Sequence, residues 1–167
     1  MILRTAAVAV LGTLVFAGSA LAAPKANTIT AVGGMKVKPN VYIQDDQRWD
    51  ADVYKIKSGA TVTLRDKSKE GQPHTLSLID KTPKTIGEIM GCKPCGQLMQ
   101  AHQVNEETGD VGQPLVESGA DGFGSAGDSI VLPPKGKVTF KVTAKPGTTL
   151  NFVCAVHPWM LGKIKVS

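Results

Sequence analysis

Three side chains that can bind a soft metal ion lie close together near the end of the printed sequence. Cys154 offers a thiolate, His157 an imidazole and Met160 a thioether. The segment before Cys154 is typical of a strand, which predicts the sulfur at a strand end and the other two donors on the short loop behind it. A strand end holds a sulfur firmly, and a tight loop can direct the imidazole and the thioether to the same point.

Copper that cycles between Cu(I) and Cu(II) takes one thiolate, two imidazoles and a weak axial thioether. The loop lacks the second imidazole, and the sequence contains three histidines. His102 lies in an irregular region, whereas His74 stands at the start of a predicted strand beside Pro73, so His74 is the better candidate. The sequence therefore predicts one copper ion in a type 1 site with the ligands His74, Cys154, His157 and Met160.

Short strands must position these donors. The sequence has 18 Gly and 10 Pro, which favours many turns over long helices. Val62 and Leu64 alternate with threonines, and this alternation is typical of a half-buried strand. Residues 27–66 are predicted to consist mainly of strands. Individual strands are predicted at 27–32, 51–57, 60–65, 74–78, 129–132, 137–143, 148–154 and 162–167. Several short strands with turn signals at this spacing predict an all-β sandwich or barrel.

Residues 81–127 interrupt the strand pattern. Apolar residues recur there at loosely helical spacing, namely at Ile86, Ile89, Met90, Leu98 and Met99. Pro94 and the flanking Gly91 and Gly96 are expected to interrupt any helix. Residues 106–128 are polar and rich in Gly, which predicts a loop. We interpret the whole stretch, about 81–127, as a partly helical insertion between two strands of one domain.

The first 22 residues have the three-part pattern of a secretory signal peptide. Arg4 is followed by an apolar run over residues 5–17 and by Ala20-Leu21-Ala22, so cleavage is predicted after Ala22. A retained membrane anchor is less favoured, because a spanning helix needs about 20 apolar residues. The mature chain, residues 23–167, is therefore expected in the periplasm or outside the cell. Its mild basic charge, with +5 for the whole chain, suits an acidic protein partner, whereas its scattered basic residues do not indicate nucleic acid binding.

Export determines how the three cysteines are interpreted. Cysteine pairs oxidise outside the cytosol, so the first interpretation is a Cys92–Cys95 disulfide, which leaves Cys154 as a thiolate ligand. A redox-active C-x-x-C pair is a second interpretation, although no βαβ pattern surrounds it. A third is a soft metal site for Cu(I). Its donors would be Cys95, Met99 and His102 on one helix face, with Met90 and Cys92 nearby.

The C-x-x-H-x-x-M spacing from Cys154 to Met160 resembles the short ligand loop of the cupredoxins, and within them that of the amicyanins. Residues 59–64 leading to Pro73-His74 resemble the family's approach to its first histidine. Residues 138–154 and 160–166 resemble its closing strands. The resemblance implies a Greek-key β-sandwich and a type 1 copper site with the same four ligands. The insertion has no amicyanin counterpart.

The resemblance also assigns roles around the ligands. In this family the edge of the loop histidine reaches the surface, so His157 would be the point where electrons leave, with Pro158 and Trp159 as an apolar rim that meets a partner. Thr75 stands where the family usually has Asn or Ser. Its hydroxyl and N–H are expected to hydrogen-bond near the Cys154 sulfur.

These features favour an exported electron carrier that is not an enzyme and acts with redox protein partners. A copper chaperone or storage protein, with a second soft-metal site in the insertion, is the alternative. A copper oxidase or nitrite reductase is disfavoured, because such enzymes build further copper sites mostly from histidine and this sequence has three histidines.

Overall fold

A computed structural model of the chain describes residues 27–105 and 107–167, so the predicted signal peptide lies outside the described residues. The strands within these ranges are β1 (Thr28–Val32), β2 (Met35–Lys38), β3 (Tyr42–Asp45), β4 (Arg48–Trp49), β5 (Val53–Ile56), β6 (Thr61–Asp66), β7 (His74–Ile79), β8 (Leu115–Val116), β9 (Ser129–Leu132), β10 (Lys137–Lys141), β11 (Thr149–Val153) and β12 (Leu161–Val166). The helices are α1 (Ile86–Met90) and α2 (Lys93–Ala101). Neither helix is long and apolar enough to span a membrane.

The strands form two larger sheets and one hairpin. The first sheet has the order β10-β6-β1-β4 and the second the order β5-β12-β11-β7-β9-β8, while β2 pairs with β3. The chain passes repeatedly from one sheet to the other, as from β6 to β7 and from β9 through β10 to β11. Consecutive strands therefore bring residues from both sheets to a shared interior.

One apolar cluster between the two sheets forms the main core. It contains Ile29 and Leu64 from the first sheet and Leu78 and Ile164 from the second. The predicted alternation is observed on β6, where Val62 and Leu64 are buried and the intervening Thr63 is only partly buried. The all-β sandwich predicted from the sequence is confirmed.

All six residues of β7 are buried, because both faces of this strand are covered. Leu76 and Leu78 face the main core. Ile79 belongs to a second apolar cluster on the outer face of the sheet, made with the insertion: Ile79, Cys92, Cys95, Leu98, Val153 and Ala155. The insertion is therefore a cover for the second sheet.

The helices of the insertion are more regular than expected. Pro94 was predicted to break a helix, but it lies in the first turn of α2, where the missing N–H has no intrahelical partner to lose. Gly96 lies within α2, so it does not interrupt the helix. Gly91 does separate α1 from α2. The predicted loop at 106–128 also contains the short strand β8, which pairs with β9.

The β2–β3 hairpin was not delimited from the sequence. Its turn contains Asn40 in the left-handed region, at φ 60°. Val37 and Ile43 are paired across the hairpin and remain 59% and 74% exposed. Sequence patterns reveal a strand through one apolar face that is buried. The two strands of this hairpin have no such face, because neither side chain is buried.

A close approach between β11 and β12 fixes the base of the loop that joins them. Phe152 lies opposite Gly162 in the strand pairing, and its ring occupies the space that a Cβ at Gly162 would need. Trp49 packs edge-on against the same ring, with centroids 5.6 Å apart. The three residues lock the β11–β12 pair against the first sheet.

We expect Gly162→Ala to destabilise the protein by about 1–3 kcal/mol, because the added methyl group overlaps the Phe152 ring in a packed core. Urea unfolding measures the change. Gly96→Ala is the matched control, since its added Cβ meets no atom within 4 Å and improves helix propensity by up to about 1 kcal/mol. Equal stability of Gly162→Ala and the parent chain would contradict this account of the packing.

Candidate metal centre

The second sheet brings two distant segments together at one end. His74 is the first residue of β7, and Cys154 directly follows β11, which pairs antiparallel with β7. His157 lies on the loop before β12. Strand pairing therefore places a histidine beside a cysteine that is 80 residues later in the chain.

Three of the four predicted ligands converge. Cys154 Sγ lies 3.6 Å from His157 Nδ1 and 3.9 Å from His74 Nδ1. The three donor atoms all lie within 4.8 Å of one another. Among residues 27–105 and 107–167, no other group of His, Cys, Asp and Glu residues has this arrangement. The three side chains are buried, with exposed fractions of 0–4%.

The loop after Cys154 is closed by its own backbone. The Cys154 N–H donates to the Met160 carbonyl at 3.0 Å, and the Met160 N–H donates to the His157 carbonyl at 2.8 Å. Trp49 Nε1 donates to the same Met160 carbonyl at 3.1 Å. Met160 is 1% exposed and belongs to the main core. Its position on this loop fits the predicted axial ligand, which stays a prediction.

The Cys154 sulfur receives a hydrogen bond from the neighbouring strand. The Thr75 N–H donates to Sγ at 3.3 Å, and Thr75 Oγ1 accepts from the Ala155 N–H at 2.7 Å. The N–H of Thr75 therefore contacts the sulfur, whereas its hydroxyl contacts the backbone of the residue that follows Cys154. Complete burial raises the pKa of the Cys154 thiol, and the hydrogen bond from Thr75 opposes that rise.

The histidine at the start of β7 is oriented from behind. His74 Nε2 lies 3.2 Å from Ser68 Oγ and 3.7 Å from Asp66 Oδ1. Burial alone would raise the pKa of Asp66, but hydrogen bonds from Ser68 and from the Lys135 N–H hold that pKa below its usual value. An ionised Asp66 favours a proton on His74 Nε2 and leaves the Nδ1 lone pair facing Cys154.

The loop histidine is oriented by a glutamine. His157 Nε2 lies 2.7 Å from Gln72 Oε1, which accepts, so Nε2 carries the proton and Nδ1 offers its lone pair to the centre. Gln47 Nε2 lies 3.3 Å from the same nitrogen and donates to Asp45 Oδ2 at 3.0 Å. His157 is only 4% exposed. Its edge, expected at the surface, is instead covered by these two glutamines.

The rim residues differ in exposure. Trp159 is 38% exposed, and its ring packs edge-on against the His157 ring with centroids 5.4 Å apart. Pro158 is half-buried. Pro73 is half-buried beside the buried His74. Trp159 is therefore an exposed aromatic side chain in direct contact with a candidate ligand.

The donor set fits one type 1 copper ion. A thiolate and two imidazole Nδ1 atoms face one point, and this is the ligand combination that suits copper in electron-transfer sites. A buried thiolate without a cation is unfavourable, as the raised pKa of Cys154 indicates. A soft cation removes this cost by taking the place of the thiol proton.

The insertion forms a disulfide and not a metal site. Cys92 and Cys95 are bonded, with their Cα atoms 5.4 Å apart. His102 is separately engaged, with Nδ1 donating to the Gln113 carbonyl at 2.6 Å and Nε2 2.7 Å from Ser129 Oγ. The soft metal site considered from the sequence therefore lacks its two thiolates and its imidazole.

Several residues that contact the candidate ligands or their loop were not found from the sequence: Gln47, Trp49, Asp66, Ser68 and Gln72. One of them had a signal. Asp66 continues the inward-facing positions of β6 after Val62 and Leu64, and a carboxylate on an inward face requires a buried partner. The two glutamines lie outside the named strands and carry no comparable pattern.

The stability of the metal-free protein is expected to fall in mild acid. Burial, and then the nearby His157, lowers the pKa of His74 to about 4 from 6.5, with Asp66 partly opposing. The unfolded chain therefore binds more protons between these two values, and the free energy of unfolding decreases as the pH falls through this window. From pH 7 to pH 5 the loss from His74 is about 2 kcal/mol.

Urea unfolding of the metal-free chain at several pH values measures this dependence. His74→Gln is the control. Its free energy of unfolding should depend less on pH, because the contribution of His74 is absent. Burial also lowers the pKa values of His102 and His157, which adds to the slope in both proteins. A free energy of unfolding that is constant from pH 7 to pH 5 would contradict the buried, neutral state of these rings.

No protein-family model matches the sequence, and no curated protein matches it. Solved structures do match. A purple cupredoxin from Nitrosopumilus maritimus is 17% identical, with a TM-score of 0.46 over 86% of this chain and 100% of that one. Auracyanin A, a blue copper protein from Chloroflexus aurantiacus, is 19% identical, with a TM-score of 0.43 over 84% and 99%. An amicyanin variant is 15% identical, with a TM-score of 0.43 over 89% and 88%.

A copper-containing nitrite reductase from Thermus scotoductus also matches, with 13% identity and a TM-score of 0.44 over 87% of this chain and 23% of that one. At these identities, the chemistry assigned to the chain depends on its own His74, Cys154 and His157 cluster.

Proposed function

We propose that the chain is an exported electron carrier that uses one type 1 copper ion held by His74, Cys154, His157 and, axially, Met160. The observation that supports this most directly is the buried convergence of one thiol and two Nδ1 atoms within 4.8 Å. Bound copper would supply the Cu(I)/Cu(II) couple. The rest of the function follows from how the chain's own residues hold these donors.

Each donor is restrained by separate contacts. Ser68 and Asp66 hold His74, and Gln72 holds His157. Cys154 is held by its backbone bond to Met160 and by the Thr75 N–H. A site whose donors are fixed in this way changes little in geometry when the charge of the ion changes, and this supports rapid electron exchange over substrate chemistry.

The exposed side chain beside the ligands is Trp159, so we propose Trp159 and Pro158 as the rim where a redox partner docks. Exposed aromatic residues often provide the main contacts of protein interfaces. The positive net charge of the chain supports a partner with an acidic docking surface. His157 is covered by glutamines and is nearly buried. The ring of Trp159, which contacts the His157 ring, is exposed and therefore offers a partner closer access to the site.

Export, with residues 23–167 as the mature domain, is supported by the pattern of the first 22 residues and by the Cys92–Cys95 disulfide. Disulfides persist in oxidising compartments and are rare in the cytosol. We propose the periplasm or the exterior of the cell as the place of function. The disulfide also argues against the copper chaperone alternative, since the second soft-metal site of that alternative would need Cys95 of the insertion as a free thiolate.

Addition of Cu(II) to the purified chain should produce an intense visible thiolate-to-copper band, and Cys154→Ser should abolish it. The matched control replaces the other two cysteines, as Cys92→Ser with Cys95→Ser, and should keep the band. Chemical reduction and reoxidation should remove and restore the colour with copper retained. A wild-type chain that binds copper without this band, or that loses copper to a chelator in each cycle, would exclude the electron-carrier function.

Trp159→Ala should slow electron exchange with a protein partner by about tenfold, the effect of losing one central aromatic contact of an interface. The visible spectrum of the copper-loaded protein should stay unchanged, because Trp159 is not a ligand. Stopped-flow measurement of the exchange with an acidic redox protein tests this. Ile86→Ala, at an 80% exposed position on α1, is the control and should exchange at the parent rate.

A further inference from the structure

A row of buried hydrogen bonds crosses the outer face of the second sheet. Ser77 Oγ lies 2.9 Å from Thr75 Oγ1 and 2.6 Å from Ser129 Oγ. Ser129 Oγ in turn lies 2.7 Å from His102 Nε2. All four side chains are at most 2% exposed. The row therefore joins the insertion to the interior without contact with bulk solvent.

The two ends of this row are anchored differently. At the insertion end, His102 Nδ1 donates to the Gln113 carbonyl at 2.6 Å, which fixes the plane of the ring. At the metal end, Thr75 Oγ1 accepts from the Ala155 N–H, and the Thr75 N–H donates to Cys154 Sγ. Thr75 is thus bonded both to the candidate thiolate ligand and to the residue that follows it.

The fold accounts for this alignment. Thr75 and Ser77 are two residues apart on β7 and share its outer face. Ser129 is the direct partner of Ser77 in the β7–β9 pairing. His102 ends α2, which packs against the same sheet through Leu98.

The surroundings of this row are apolar. Ile79, Leu98, Val153 and Ala155 form the cluster that covers the sheet on this side. Burying hydroxyls and an imidazole in such a place is unfavourable unless each has a partner. Apolar residues would cover a sheet without this requirement, so the polar row needs an explanation other than packing.

We propose that His102, Ser129 and Ser77 are positioning residues for the copper ligand Cys154, acting through Thr75. They hold the Thr75 hydroxyl in place. Thr75 then keeps its backbone N–H directed at Cys154 Sγ, and its hydroxyl keeps the bond from the Ala155 N–H that holds the ligand loop to β7. This inference rests on the proposed function, since the hydrogen bond to sulfur matters for a thiolate that binds copper. The insertion is then part of the support of the metal centre as well as a cover for the sheet.

The direction of the effect follows from the N–H···S bond. A donor to the sulfur withdraws electron density from the thiolate and thereby favours Cu(I) over Cu(II). Loss of the supporting row lets Thr75 move and weakens this bond, so the oxidised form gains. We expect a shift of about threefold in the Cu(II)/Cu(I) ratio. The free energy of such a shift is smaller than the usual net contribution of one hydrogen bond, because the N–H···S bond is weakened and not lost.

The test uses copper-loaded full chains of Ser77→Ala and His102→Ala, equilibrated with a redox mediator of known potential. Both variants should shift toward the oxidised form by about threefold and should change the thiolate-to-copper band. His102→Gln, which can still reach Ser129, should restore most of the parent behaviour. Ser58→Ala is the control, because it removes a hydroxyl that donates to the Ala144 carbonyl and takes no part in the row. It should leave the equilibrium unchanged.

A second readout needs no copper. In the metal-free protein, amide hydrogen exchange at Ala155 should accelerate in Ser77→Ala relative to the Cys154 amide, which is held by Met160. Ser77→Ala removes a single buried oxygen, so it tests the row even where His102→Ala does not fold. Parent-like exchange at Ala155 together with a parent-like equilibrium in folded Ser77→Ala would overturn the positioning role. Absence of the thiolate-to-copper band in the parent chain would instead refute the proposed function, while the exchange measurement would still decide the positioning role.

Discussion

A sulfur atom without access to water dominates the design of this molecule. Cys154 is fully buried, and burial opposes ionisation of its thiol. A thiolate there requires a cation within bonding distance, and the imidazole nitrogens of His74 and His157 face it at 3.9 and 3.6 Å. The surroundings of these rings, with Asp66 behind one and Gln72 behind the other, present lone pairs and not protons to the centre. The polar groups at this end of the sandwich are thus arranged so that a cation can bind beside the buried thiolate.

The sandwich meets this requirement through the pairing of β7 with β11. Pairing places His74 beside Cys154, and the closed loop that follows brings His157 to the same point. Packing of Phe152 on Gly162, with Trp49 at its edge, holds the two strands from which the loop leaves. The insertion seals the outer face of the same strands, so the centre is enclosed from both sides of the sheet.

The parts of this arrangement that depend on local sequence could be predicted. The spacing from Cys154 to Met160 predicted the loop on which Cys154 and His157 come together, and alternation on segments such as β6 predicted strands. His74 was found because few histidines compete for the role. Contacts between distant segments had no local signal. Gln47 and His157 are 110 residues apart, and the glutamine cover over the ring depends entirely on tertiary packing. The prediction that Pro94 interrupts a helix is wrong, because proline breaks the interior of a helix but is tolerated in the first turn, where Pro94 lies.

Cys154 follows His74 by 80 positions in the chain, and the whole insertion lies between them. Cys154, His157 and Met160 are neighbours in the chain and remain near one another before any sheet exists, whereas His74 reaches them only when β7 and β11 pair. Long-range pairing of this kind is slow, because the entropy of closing the loop is lost before the contacts form. The centre is therefore complete only after β7 and β11 have paired, and an ion bound by residues of both segments would close the long loop between them.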